Sequence, residues 1–191
     1  MRADVNGNRD EIYGMLAELF IQPADERTVA TLMGDDANVD MDVLAGDFTD
    51  LLRGLRPFSP PPPYESLYRE GVIHGRATSE VMEIYARYGV EPTTILGGEM
   101  ADHISLELDF MRHLCSLEGG SSSDEEMRSL LEAEENFLGE HLTRWVGNLQ
   151  DRIERDDQTG FYTQVASFTN DWVTEDHQRV RGRLETMEGR P

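Results

Sequence analysis

The segment Glu99-Met100-Ala101-Asp102-His103 places two carboxylates and an imidazole within five residues, directly after Gly97-Gly98. A carboxylate beside an imidazole is the pairing that general-base chemistry uses, with the acid orienting the ring and the ring taking the proton. The same residues have a plainer use at a helix start. Carboxylates there interact favourably with the positive end of the macrodipole, by about 0.3–1 kcal/mol each. Capping of this kind accounts for Glu99 and Asp102 but not for His103, whose cationic form the dipole disfavours. The expectation is a neutral, hydrogen-bonded and oriented imidazole.

Other chemistry lacks its residue sets. None of His74, His103, His113, His141 and His177 has a glutamate three positions before it, as a di-iron carboxylate bundle requires. His-Glu-x-x-His, Cys-x-x-Cys, Gly-x-Ser-x-Gly and Walker patterns are absent from the sequence. No metal or cofactor is expected, and no enzyme activity. Cys115 is the single cysteine and sits in an apolar helical pattern, so it reads as core filler in a reducing compartment.

These residues need elements to hold them, and the pattern is helical throughout. Arg9 to Ile21 carries Ile12, Tyr13, Leu16, Leu19 and Phe20 on one face, and Pro23 stops it. A short helix follows over Ala24 to Met33, closed by Gly34. Another covers 40–55, with Leu44, Phe48, Leu51 and Leu52, ended by Gly54 and Pro57. Pro60 to Pro63 hold an extended segment without hydrogen bonds. Tyr64, Leu67 and Tyr68 then suggest a helical turn, and 77–89 a further helix ended by Gly89. Ala101 to Leu117 is apolar around much of its circumference, which predicts a central buried helix. Ser123 and Glu126 form a capping-box pair ahead of a helical stretch to about Arg155, with Trp145 as packing. Asp156 to Gly160 is a turn, Phe161 opens a last helix towards Leu184, and Met187 to Pro191 should fray. The prediction is an all-α chain of two lobes, 1–117 and 124–191, joined by a Gly/Ser linker at 118–123.

Composition sets the solvent and excludes some partners. The 38 acidic residues outnumber 17 basic ones for a net charge of −21, and every basic residue is Arg. That field repels nucleic acid and anionic membranes. No window approaches the ~18 apolar residues that span a bilayer, and no secretory signal pattern opens the sequence. Leu, Ile, Val and Phe supply 44 of 191 residues, above the roughly 20% typical of disordered charged chains. A small acidic domain without Lys suits molar salt, where the Debye length falls to ~3 Å and self-repulsion vanishes. The expectation is a halophilic, cytoplasmic protein.

Several motifs, taken in order, resemble the TorD/DmsD family of cytoplasmic redox enzyme maturation chaperones. Tyr13-Gly-Met-Leu16-Ala-Glu-Leu19-Phe20 with Pro23 is similar to that family's opening helix. Phe48-Thr-Asp-Leu51-Leu52, then Pro62-Pro63-Tyr64-Glu65-Ser66-Leu67-Tyr68-Arg69-Glu70, matches its proline-rich loop and aromatic-x-Ser-x-aromatic segment. Glu99-Met100-Ala101-Asp102-His103 matches its Glu-Pro-x-Asp-His signature, with Met100 in place of the proline. His141-Leu142-Thr-Arg-Trp145 and Gly160-Phe161-Tyr162 match its C-terminal lobe. The resemblance implies a chaperone that binds the twin-arginine signal peptide of an apo molybdopterin oxidoreductase of the dimethyl-sulfoxide or trimethylamine-oxide type before Tat export, as a monomer or a domain-swapped dimer. It implies a peptide pocket at Leu51, Leu52, Tyr64, Tyr68, Glu99, Asp102 and His103. Read by themselves, Leu51 and Leu52 fit a core equally. The alternatives are a NarJ-type nitrate reductase assembly factor and a small helical hydrolase using His103 with Asp102.

Overall fold

A computed structural model describes residues 9–54, 61–91 and 99–189. Among the described residues the regular structure is helical: α1 Arg9–Ile21, α2 Glu26–Met33, α3 Met41–Phe48, α4 Glu65–Glu70, α5 Arg76–Arg87, α6 Ile104–Gly119, α7 Asp124–Phe137, α8 Thr143–Asp156 and α9 Phe161–Glu188. Two π-helical turns extend helices, Thr49–Arg53 after α3 and Leu138–Leu142 between α7 and α8. The all-α prediction holds. Among the described residues, no helix is long and apolar enough to cross a membrane.

Local chemistry fixes most helix starts. Asp25 caps α2 by accepting from the Thr28 amide at 2.8 Å, and Asp40 caps α3 through the Asp42 and Val43 amides. The capping box before α7 is offset by one residue. Ser123 Oγ accepts from the Glu126 amide, but the Glu126 carboxylate accepts from the Ser122 amide at 2.9 Å, upstream of the expected Ser123. At the other end, α9 runs through Glu188, and positions 190–191 of the tail expected to fray lie outside the described residues. Leu184 and Met187 pack on the core, and Arg128 reaches Glu188.

Helix α6 is the axis. It buries Ile104, Ser105, Leu106, Glu107, Leu108, Phe110, Met111, Leu114 and Cys115, on nearly every side. Helix α1 lies along it, α7 packs on its flank, and α9 covers α7 and α8. Tyr85, Phe110 and Phe137 form an aromatic run with ring centroids 4.6 and 4.8 Å apart. Each such buried side chain contributes about 1.5–3 kcal/mol. One hydrophobic cluster runs from Tyr13 to Val180, with members on both sides of 118–123. Gly97-Gly98 and Pro57 to Pro60 lie outside the described residues. The short α4 packs on α5 and α8 at the edge of this core, next to the first turn of α6.

Candidate binding site where α4 meets the start of α6

The proline segment and the start of α6 are stitched together by backbone. The Ile104 amide donates to the Pro63 carbonyl and the Glu65 amide to the Asp102 carbonyl, both at 2.9 Å. Tyr64 and His103 thus face each other as an isolated antiparallel bridge. Extended proline-rich chain before Tyr64 leaves its carbonyls free, and α6 uses one of them.

Asp102 does not cap α6. Its Oδ2 accepts from the Ser66 amide at 3.0 Å, so it caps α4 from a distance in sequence. The cap of α6 is His103. Its Nδ1 accepts from the Ser105 amide at 3.2 Å and lies 2.6 Å from Ser105 Oγ. A ring nitrogen that accepts an amide proton carries none, so the proton sits on Nε2. The ring is therefore neutral and oriented. Burial pulls its pKa down to about 4, with Glu99 opposing and Arg53 assisting the shift.

Glu99 reaches the other way. Its two carboxylate oxygens accept from Arg53 and from the Tyr64 hydroxyl. Tyr64 is half-buried, edge-on to the His103 ring with centroids 5.1 Å apart, and its phenol is held above its ordinary pKa by burial and by Glu99. The structure thus brings Tyr64, Glu99, Asp102 and His103 into one site. Tyr68 lies on the far side of α4, donating to the Pro61 carbonyl at 3.0 Å with its ring 5.4 Å from Trp145. Leu51 and Leu52 are each 1% exposed and belong to the core. Their turn enters the site through Arg53 instead.

Sequence reasoning missed a second layer. Glu65, fully buried, pairs with Arg69 and accepts from His141 Nδ1 at 2.9 Å. Glu107, also fully buried, accepts from the Trp145 indole at 3.1 Å. Burial, reinforced by Glu65, pushes the Glu107 carboxyl well above the usual carboxylate range. Arg69 donates onward to the Glu140 carbonyl at 2.9 Å. Glu107 was findable: a carboxylate between Leu106 and Leu108 in a helix apolar on all sides has nowhere to go but inside.

The side chains of this arrangement hold α4, the start of α6 and the Arg53 turn in register. Ser105 and His103 make a short contact, yet both are buried, and Asp102 is spent on α4 rather than on the imidazole. The hydrolase alternative needs an Asp102–His103 pair open to substrate, and this geometry gives it neither.

The neutral His103 has a consequence for acid stability. In the unfolded chain its pKa returns to the ordinary 6.5, so between pH 6.5 and about 4 the unfolded state binds more protons. Its stabilising contribution is complete above 6.5 and is lost as pH falls towards 4, amounting to about 3 kcal/mol at most. His103→Asn keeps a capping acceptor and removes the titration. Thermal melts between pH 7 and 4 should show a flatter pH dependence in this variant than in the parent.

A family model described as nitrate reductase delta subunit matches residues 16–151. The chain belongs to that family. The match takes in the whole site, from Arg53 through Tyr64 and Glu99–His103 to His141. Relatives include the chaperone protein TorD of Vibrio cholerae serotype O1, 25% identical over 90% of this chain and 91% of the relative. The chaperone protein TorD of Photobacterium profundum is 30% identical over 81% of this chain and 74% of the relative. The crystal structure of a redox enzyme maturation protein from Archaeoglobus fulgidus superposes with a TM-score of 0.52, covering 87% of this chain and 92% of that one at 21% identity, a likeness of fold. The relatives' common name is that of a chaperone, a role without catalysis.

Proposed function

We propose that this protein is a cytoplasmic maturation chaperone for a molybdopterin oxidoreductase, and that it holds the client's twin-arginine signal peptide until the enzyme is ready for Tat export. The observation that carries the reading is the convergence of Tyr64, Glu99, Asp102 and His103 at the α4–α6 junction, in a chain whose relatives are TorD chaperones. Tyr64 and Glu99 form the accessible rim that meets the peptide. Asp102 and His103 act as positioning residues, fixing α4 and α6 in relation to that rim. Leu51 and Leu52, enclosed in the core, hold the turn that carries Arg53 rather than meet the peptide, and Tyr68 stands beyond α4 against Trp145. The Gly/Ser linker supports a two-lobe organisation and a monomer that exchanges with a domain-swapped dimer.

In molar salt, exposed ion pairs are screened while apolar burial is not. Calorimetric titration with a synthetic leader carrying Arg-Arg and an apolar stretch should show saturable binding. Tyr64→Ala should weaken it about tenfold, the loss of an aromatic anchor. Asp102→Asn should weaken it less, because Asn still accepts from the Ser66 amide. The reverse order defeats the ranking, and absence of binding to the parent protein defeats the proposal. The family description favours one second reading, a NarJ-type assembly factor. Competition between the leader and the N-terminal peptide of a nitrate reductase catalytic subunit decides between the clients.

A further inference from the structure

Arg53 fills a pocket that surrounds its guanidinium with three different partners. Its Nη1 donates to Glu99, its Nη2 donates to the Ile21 carbonyl at 2.7 Å, and its guanidinium carbon stands 5.2 Å from the centre of the Phe48 ring. Carboxylate, carbonyl and aromatic face together match a planar guanidinium on its edge and on its face. An ammonium satisfies one of these and not the set. Tyr64 completes the wall by donating to the other oxygen of Glu99.

The occupant is held loosely. The Arg53 side chain is 32% exposed, and a part-exposed ion pair is weak. It is the last residue of a π-helical turn and is followed by Gly54 at φ 59°, a left-handed conformation that glycine adopts without steric cost. The guanidinium can leave without disturbing Leu51 and Leu52, which anchor the turn in the core.

We propose that the Glu99–Ile21–Phe48 pocket is a guanidinium-binding site which Arg53 fills in the free protein, and that an arginine of the client leader takes the pocket by displacing it. Arg53 is then an internal competitor that raises the threshold for binding and admits arginine over lysine. This rests on the leader-peptide reading above.

Two arms test it. In the first, Arg53→Ala is titrated with ethylguanidinium, followed by thermal shift, with ethylammonium as control. Saturable stabilisation by ethylguanidinium alone, lost in Arg53→Ala/Glu99→Gln, supports the site; no difference between the two ions overturns it. In the second, an Arg-Arg leader is titrated against the parent, Arg53→Ala and Arg53→Lys, the last keeping charge and stem where alanine disturbs folding. Removing the competitor should tighten binding by about tenfold in Arg53→Ala, with Arg53→Lys between, and a Lys-Lys leader should gain nothing. Unchanged or weaker binding in both variants overturns the displacement. If ethylguanidinium binds Arg53→Ala but no leader binds any form, the pocket stands and the leader-peptide reading falls.

Discussion

Arg9→Met is expected to lower the melting temperature by about 10 °C, the equivalent of about 3–5 kcal/mol for a chain of this size. Arg9 opens α1 and is 5% exposed. Its Nε and Nη2 each lie 2.9 Å from a carboxylate oxygen of Asp176 on α9. Its Nη1 and Nη2 also reach Glu118 on α6 and Glu134 on α7, both at 2.5 Å. Tyr13 adds a hydroxyl to Asp176 at 2.8 Å. One guanidinium therefore bridges carboxylates from three helices besides its own, with Arg179 and Arg183 also pairing with Asp176 and Glu118. Burial still pushes the Glu134 carboxyl up to about 7, with Arg9 opposing. Without Arg9, Glu134 is left in the interior with no cation, while Asp176 keeps Arg179 and the Tyr13 hydroxyl. With the opposing guanidinium gone, burial favours protonation of the Glu134 carboxyl more in the folded than in the unfolded state, so the variant regains stability as pH falls. The deficit should be smaller at pH 5 than at pH 8. Adding Glu134→Gln removes the stranded charge and should recover part of the loss. Melts of the three proteins at both pH values check each step.

The second large effect is expected from salt. Dialysis from molar KCl into dilute buffer should unfold the protein, and circular dichroism should recover when salt is restored. The net charge of −21 has no lysine to offset it. Exposed carboxylates line α7 at Asp124, Glu125, Glu126 and Glu132 and α9 at Asp171, Glu175, Glu185 and Glu188. At 0.1 M salt the Debye length is ~10 Å, long enough for these rows to repel one another, and at 1 M it is ~3 Å. The buried Arg9 cluster is screened far less and does not compensate. An unchanged spectrum after dialysis contradicts salt adaptation.

Helix periodicity was readable because one face of each helix must meet the core. Tyr13, Leu16, Leu19 and Phe20 are buried as their spacing requires, and the uniformly apolar α6 is the central helix. The start of α6 was misplaced at Ala101 because Asp102 has the look of a first-turn residue while its carboxylate serves another helix. The buried charges escaped because a pattern of hydropathy assigns every charged residue to solvent. Yet Glu134 falls three residues after Leu131 and three before Phe137, and Asp176 falls between Val173 and Val180, all on the apolar stripes of their helices. Arg9 stands one turn before Tyr13 in the same way. Charges that keep the apolar register are the mark of an interior ion cluster, and they can be read without coordinates. Arg53 carries no such mark. Its role depends on Glu99, Ile21 and Phe48 meeting in space, which spacing along the chain does not announce.

The mutual capping of α4 and α6 also dictates an order of events. Six residues are far too few to hold a helix in water by themselves. Glu65–Glu70 receives its starting acceptors from Asp102, and the α6 start receives Pro63 in return. A nascent chain that has emerged only as far as residue 98 has therefore synthesised this short helix without the means to wind it. The junction is completed only after the later segment leaves the ribosome, so the surface around Tyr64 matures among the last parts of the molecule's first half.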